Sequence, residues 1–438
     1  MASPDYLVTA AGPLQGTIRV PGDKSISHRA VILAALARGQ SVITGLLEGE
    51  DVLGTIGAFR ALGVSIKGPD RGRLVVDGVG LHGLKAPAGV LDLGNSGTSM
   101  RLLTGLLCAQ PFATELVGDD SLMKRPMERV ASPLRLMGAV IHTGEGGRPP
   151  LQIEGGRPLR AMTYTLPVAS AQVKSAILLA GLYAQGRTTV IEPAPSRDHT
   201  ERMLAGFGYP VSRDGHAISV VGGAGELRAT SLDVPADLSS AAFFLVAASI
   251  VPGSDIRLEQ VGMNPTRTGV IAILRAMGAR IEVDHERQVG GEQVADLRVT
   301  ASGLQGIPIP PELVPLAIDE FPAIFVAAAC AVGTTVLRGA EELRVKESDR
   351  LALMAQGLKA LGVVVQEFPD GLAITGGPLA GGVIDSGGDH RIAMAFAIAG
   401  LRAAAPVRVR DCRNVATSFP GFVETARALG CDLQVVGP

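Results

Sequence analysis

Six times along this chain the same short phrase recurs, a glycine between two apolar residues. It stands at Leu62-Gly63-Val64, Met137-Gly138-Ala139, Phe207-Gly208-Tyr209, Met277-Gly278-Ala279, Leu361-Gly362-Val363 and Leu429-Gly430-Cys431. The glycines lie 75, 70, 70, 84 and 68 residues apart. A self-similar period of that size predicts one supersecondary unit of about 70 residues used six times. Each unit reads as a strand, a polar helix opening, an almost wholly apolar helix, a turn, a strand, a loop and an amphipathic helix, then the glycine and two more strands. The apolar helices are expected to begin near Ser25, Ser96, Ala171, Ser239, Glu320 and His390. A helix apolar on every face must be buried on every face. The second helix of each unit is one-sided: in the fifth copy Leu351, Met354, Leu358 and Leu361 form the stripe, with Gln356 and Lys359 opposite. The glycine closing it suits a left-handed C-cap before the chain turns into a strand.

Six units divide into two groups of three. The phrases Val20-Pro21-Gly22-Asp23 and Val234-Pro235-Ala236-Asp237 are nearly the same, and their prolines do not fit a central strand. They are the expected crossings between two lobes, one of residues 23–236 and one of residues 1–22 with 237–438. The fold class is therefore α/β and two-lobed, three units to a lobe, with the apolar helices buried in each. Aromatics make up 3% of the residues and tryptophan is absent, so Leu, Val, Ile and Ala must fill the cores, with 56 glycines allowing close approach.

A net charge of −2 with no block of like charge excludes an electrostatic footprint for nucleic acid or an anionic membrane. The longest apolar runs, such as residues 241–251, are too short to span a bilayer. The N-terminus reads as no secretory signal, which places the chain in the cytoplasm. Cys108, Cys330, Cys412 and Cys431 lack metal-ligand spacing and read as buried thiols.

Helix N-termini carry unpaired N–H groups and partial positive charge, so several converging openings make an anion site. Cations stand at those openings: Lys24 and Arg29 at the first, Arg101 at the second, Lys174 at the third and Arg391 at the sixth. The loops before the amphipathic helices add Lys124, Arg125, Arg197, Arg267, Lys346 and Arg350. Taken singly each is equally an ordinary surface cation; repeated at equivalent positions, they point to anionic substrates. Ser25 and Arg29 share a helix face, Gly97 leaves backbone open to a ligand, and Ser170 and Gln172 offer neutral donors, although an isolated Ser is as readily an N-cap. The acidic candidates are Asp319, Glu320 and Glu347, which suit acid–base work beside cations or, alternatively, complement helix dipoles.

Together these phrases resemble the 5-enolpyruvylshikimate-3-phosphate (EPSP) synthase family, the 3-phosphoshikimate 1-carboxyvinyltransferases. The resemblance runs from PGDKSISHR through GNSGTSMR, KRPMERV, SAQVKSAILLAG, APSRDHTERML, DEFP and RVKESDR to DHRIAMAF. It implies lobes of buried parallel helices surrounded by sheets, an inside-out α/β barrel, and transfer of the enolpyruvyl group of phosphoenolpyruvate to shikimate 3-phosphate in aromatic amino-acid biosynthesis, in a cleft between the lobes, by a monomer needing no metal or organic cofactor. Matched motif by motif, it implies that Lys24, Ser25, Arg29, Ser170, Ala171, Gln172, Arg197, Asp319 and Lys346 bind shikimate 3-phosphate. Lys24, Gly97, Thr98, Arg125, Gln172, Arg350 and Arg391 would surround phosphoenolpyruvate. Asp319, Glu347 and Lys24 would be catalytic, with Asp319 taking the proton of the 5-hydroxyl and Glu347 exchanging one at the methylene carbon. The commonest bacterial members carry a lysine where this chain has Thr417, and the SAQVKS and SRDHTE phrases resemble the second class, associated with reduced glyphosate sensitivity. The sister enzyme acting on UDP-N-acetylglucosamine typically has a reactive cysteine in the loop that here spans residues 118–125, and none stands there. A non-catalytic binder on the same scaffold would have no use for carboxylates in an anion site.

Overall fold

A computed structural model describes residues 3–10 and 12–437. It divides into two compact units: residues 22–234 with the short stretch Val289–Gly291, and the remainder on either side. Along the chain, buried and half-buried helices alternate. In the 22–234 unit they are α1 (Lys24–Leu36) and α2 (Glu50–Ala61), α3 (Gly97–Leu107) and α4 (Glu128–Leu136), α5 (Ala171–Gly181) and α6 (His199–Gly206). In the other unit they are α7 (Leu238–Ile250) and α8 (Gly269–Ala276), α9 (Phe321–Ala329) and α10 (Arg350–Ala360), α11 (His390–Gly400) and α12 (Phe422–Ala428). Every residue of α7 is buried, as its LSSAAFFLVAASI sequence requires, whereas α10 buries Leu351, Met354 and Leu358 and exposes Gln356 and Lys359.

All six repeat glycines have positive φ, from +82° to +101°. Each closes its half-buried helix with the same pair of bonds. At the first, the Gly63 amide donates to Arg60 O at 3.0 Å and the Val64 amide to Phe59 O at 3.0 Å. At the last, Gly430 donates to Arg427 O at 2.9 Å and Cys431 to Ala426 O at 3.1 Å. This is the Schellman closure, which needs a left-handed residue and so selects glycine. In four copies an arginine three residues before the glycine braces the turn that follows: the Nε atoms of Arg60, Arg135, Arg275 and Arg427 donate to the carbonyls of Ile66, Ile141, Ile281 and Leu433.

Among the described residues the strands form five four-stranded sheets and one three-stranded sheet. Each four-stranded sheet has a parallel pair at one edge joined to an antiparallel neighbour. A parallel pair demands a long crossover, and the buried helix supplies it: α3 joins Leu91–Asp92 to Thr114–Val117, and α5 joins Thr163–Thr165 to Arg187–Ile191. Two leading strands are exchanged. Gln15–Ile18, which precedes α1, pairs with Asp255–Gly262 after α7, while Ser231–Asp233, which precedes α7, pairs with Arg38–Thr44 after α1. Each strand thus stays in one unit as its chain passes into the other at Pro21/Gly22 and Val234/Pro235.

Each unit has its own core, one cluster from Ile26 to Val234 and another from Tyr6 to Val20 with Ala236 to Leu433. Small residues set the helix spacing inside them. A Cβ on Gly105 of α3 would lie 2.2 Å from the Ala176 carbonyl oxygen of α5, so these backbones touch, which fixes their N-terminal ends relative to one another. Some of the few aromatics cluster: Phe244 packs against Phe419 and Phe422, and Phe422 against Tyr6, with ring centroids 5.9 to 6.2 Å apart.

Candidate active site

Five of the six buried helices open on a side-chain cap. Asp23 accepts from the Ile26 amide, Ser96 from Ser99, Ser170 from Val173, Asp237 from Ser239 and Asp389 from Arg391. Three of these caps are carboxylates, which offset part of the positive end of the helix. The charge that attracts an anion must therefore come from side chains.

In the 22–234 unit those side chains are linked across helices. Gln172, at the opening of α5, donates to the Thr98 hydroxyl of α3 at 2.9 Å and accepts from Arg101 at 2.5 Å. Arg125 donates to Asn95 at 2.7 Å and to Ser121 at 3.4 Å. Gly97 lies between the arginines: a Cβ there would sit 3.0 Å from Arg101 Nη1 and 3.1 Å from Arg125 Nη1. Lys24 is ion-paired with Asp51 of α2. Arg29 is buried and donates to Thr200 at 2.6 Å, Ser175 at 2.9 Å and the Ser25 carbonyl at 3.0 Å, joining α1 to α5 and α6. Behind them His28 Nδ1 bonds Thr55 Oγ1 at 2.8 Å, and Thr55 in turn bonds Ser99 at 2.5 Å. Burial, with Lys24 and Arg29 nearby, holds this imidazole well below its ordinary range, so it is neutral. Ser25, Ser170, Ala171 and Arg197 are half-buried at the same helix openings or in the loop before α6.

In the other unit the acidic residues gather on one guanidinium. Arg350, 1% exposed, lies 2.6 Å from Glu347, 3.4 Å from Asp319 and 2.8 Å from Asp389. Burial disfavours its charge, but Asp389, Glu347 and Asp319 outweigh that and raise its pKa. Lys346 lies 3.5 Å from Asp319 and 3.9 Å from Glu342. Asp389 also accepts from the Ser348 hydroxyl at 2.9 Å and from the Arg391 amide at 2.9 Å, so one buried carboxylate positions both Arg350 and the opening that carries Arg391.

Four sequence expectations change. Lys174 offers nothing to a ligand: it is fully buried between Glu192 and Glu201. Arg267 is likewise buried on Asp237, at 2.9 Å, with Glu320 3.6 Å away. Glu320, buried and accepting from Ser239, parts company with its neighbour Asp319, because adjacent residues at a helix start face different directions. Cys330 is half-buried where the other three thiols are buried. Burial pushes Cys330 up to about 11 and the others to about 12, so none is a ready thiolate. Thr417 is buried and donates to the Asn414 carbonyl at 2.7 Å, so it supplies no charge where other family members are expected to have lysine.

Sequence reasoning missed Asp51, Asn95 and Asp389. Asp389 was the most accessible of them, standing directly before the apolar helix in a capping position and beside His390 and Arg391. Among the described residues no group of three or more His, Cys, Asp or Glu is placed to hold a metal ion, and no helix is long and apolar enough to cross a membrane.

Clustered cations at helix openings in one unit suit anionic ligands, and carboxylates arrayed on a buried arginine in the other suit proton transfer. The EPSP synthase (3-phosphoshikimate 1-carboxyvinyltransferase) family profile matches residues 8–426, and the chain belongs to that family. The 3-phosphoshikimate 1-carboxyvinyltransferase of Methylococcus capsulatus is 63% identical over 437 residues, covering 99% of this chain and all of the relative. That of Alkalilimnicola ehrlichii is 64% identical over 430 residues, covering 98% and 96%. A solved EPSP synthase from Acinetobacter baumannii superposes with a TM-score of 0.90 at 55% identity, covering 99% of this chain and all of that one.

Proposed function

We propose that the chain transfers the enolpyruvyl group of phosphoenolpyruvate to the 5-hydroxyl of shikimate 3-phosphate and releases phosphate, with the residue roles that follow. The observation that carries these roles is the placement of Asp319 and Glu347 on opposite terminal nitrogens of one buried guanidinium, beside Lys346. Asp319 accepts the proton of the attacking hydroxyl. Glu347 acts as the acid that passes a proton to the methylene carbon, which makes C2 electrophilic, and the new C–O bond forms there. The resulting tetrahedral intermediate expels phosphate, which carries away the proton that Asp319 took, while Glu347 takes a proton back from the methyl group and the vinyl group is restored, so both carboxyls return to their starting state and no other reactant is consumed. Ser25, Arg29, Ser170, Ala171, Gln172, Arg197 and Lys346 hold the shikimate phosphate and ring. Lys24, Gly97, Thr98, Arg125, Gln172, Arg350 and Arg391 surround phosphoenolpyruvate, and the fixed positive charge of the lysine and the arginines stabilises the departing phosphate without reorganising during the reaction. The finer architecture proposed with this reading is three repeated units per lobe, helices inside and sheets outside, in a cytoplasmic monomer; the recurrence of one edge-pairing pattern through the five four-stranded sheets supports the repeat.

Phosphate release from phosphoenolpyruvate tests the reading. Release should require shikimate 3-phosphate; release at the same rate without it, or none with it, sinks the assignment.

The surroundings of Gly97 lead to a prediction about glyphosate, an anionic phosphonate expected to compete with phosphoenolpyruvate. The methyl of Gly97→Ala would press on the tips of Arg101 and Arg125, tighter than ordinary van der Waals contact. Arg125 must shift, and a ligand that depends on its position loses affinity. Gly97→Ala should raise the inhibition constant of glyphosate by a larger factor than the KM of phosphoenolpyruvate. An unchanged ratio of the two would show that this contact does not discriminate between them.

A further inference from the structure

No step above uses the ion cluster around Lys174. Its ammonium lies in the first turn of α5, two residues beyond Gln172, 3.0 Å from Glu192 Oε1 and 2.7 Å from Glu201 Oε1, with the lysine side chain wholly removed from solvent. Three ionisable groups in a core are costly to desolvate, and a leucine would suit the otherwise apolar helix. Burial pushes Glu201 above the usual carboxylate range even against the pull of Lys174.

What the cluster does is tie three segments together: the start of α5, the loop after Arg187–Ile191 and the start of α6. Each member adjoins a group that holds the ligand-binding set. Glu192 accepts from the Ser196 hydroxyl, next to Arg197. Ser175, which follows Lys174, and Thr200, which precedes Glu201, are the two hydroxyls that take Arg29, and they bond each other at 2.7 Å. Arg29 and Arg197 therefore reach their places through residues that the cluster anchors.

We propose that Lys174, Glu192 and Glu201 are positioning residues that set the affinity for shikimate 3-phosphate, by fixing Arg29 and Arg197 relative to Ser170 and Gln172. This rests on the reading that those four residues bind shikimate 3-phosphate. The cluster touches no substrate, and its removal acts on one substrate's binding, leaving the chemical step intact.

The test is calorimetric binding of shikimate 3-phosphate, with KM for each substrate and kcat, for Lys174→Met, Lys174→Met/Glu201→Gln and Arg197→Ala. Lys174→Met should weaken shikimate 3-phosphate binding by roughly 10-fold or more, the scale of losing one well-placed hydrogen bond to a charged group. Its KM for phosphoenolpyruvate and its kcat should change by less than about threefold, since the other groups lie on other segments and Gln172, the one shared group, is held by Thr98 and Arg101 of α3. The double variant removes the uncompensated carboxylate and should recover thermal stability while keeping the binding defect. Where Lys174→Met fails to fold, the double variant and the isosteric Glu192→Gln carry the measurement. A folded variant that binds shikimate 3-phosphate like the wild type, or one that loses kcat and both KM values together, overturns the positioning role. If Arg197→Ala itself binds normally, the underlying site reading fails instead, which separates the two ideas.

Discussion

Asp319→Asn is expected to fold, to keep binding shikimate 3-phosphate, and to turn over roughly a hundredfold to ten-thousandfold more slowly, the range for losing a positioned acid or base. The substitution preserves shape and an acceptor oxygen for Arg350, which lies 3.4 Å from Asp319 Oδ1. It removes the ability to take a proton. Lys346 at 3.5 Å and Arg350 keep a positive field on this carboxylate, so the ionised form is the one ready to receive the hydroxyl proton. Steady-state rates at saturating substrate decide the matter: near-normal turnover in a folded Asp319→Asn enzyme removes Asp319 from the mechanism. The companion change, Glu347→Gln, should abolish solvent-deuterium incorporation into the methylene group. Undiminished exchange there would reject the role given to Glu347.

The repeat was legible because one backbone conformation selects one residue. The left-handed closing position admits glycine at little cost, so six Schellman turns leave six glycines in register. The buried helices were legible for a similar reason, since a segment such as Leu238–Ile250 has no polar face to give to water. The arginine brace at Arg60, Arg135, Arg275 and Arg427 was equally regular and went unread, because an arginine in the last turn of a helix has an ordinary explanation in the helix dipole. The limit shows most clearly where neighbours diverge. Asp319 meets the cations while Glu320 is buried on Ser239, and Gln172 links the helix openings while Lys174 is sealed inside. Such outcomes depend on helix phase, and about 100° of rotation separates successive side chains. Which carboxylate partners a buried cation depends further on segments far apart in the chain, as with Lys24 and Asp51 or Arg350 and Asp389.

The second large effect follows from Asp389, whose side chain is wholly buried against an arginine that is 1% exposed. Burial alone would raise its pKa; Arg350 first and His390 second outweigh that, and the net shift is downward. Asp389→Asn keeps a neutral cap for α11, because asparagine caps helices nearly as well as aspartate. What it removes is the charge facing Arg350, leaving that guanidinium with Glu347 and Asp319 only. Breaking a buried ion pair by removing one partner costs about 3–5 kcal/mol, and since an acceptor oxygen remains, a loss of about 3 kcal/mol at neutral pH is expected. The pH dependence has a definite sign. A carboxyl whose folded pKa is depressed contributes stability above its unfolded pKa of about 3.9 and loses it as pH falls through the lower folded value. The stability gap between wild type and Asp389→Asn should therefore stay constant from neutral pH down to about pH 4 and narrow below it. Denaturant unfolding at a series of pH values measures that gap. A gap absent at neutral pH, or one that persists undiminished well into acid, would mean that the Asp389 charge is not what holds Arg350 in place.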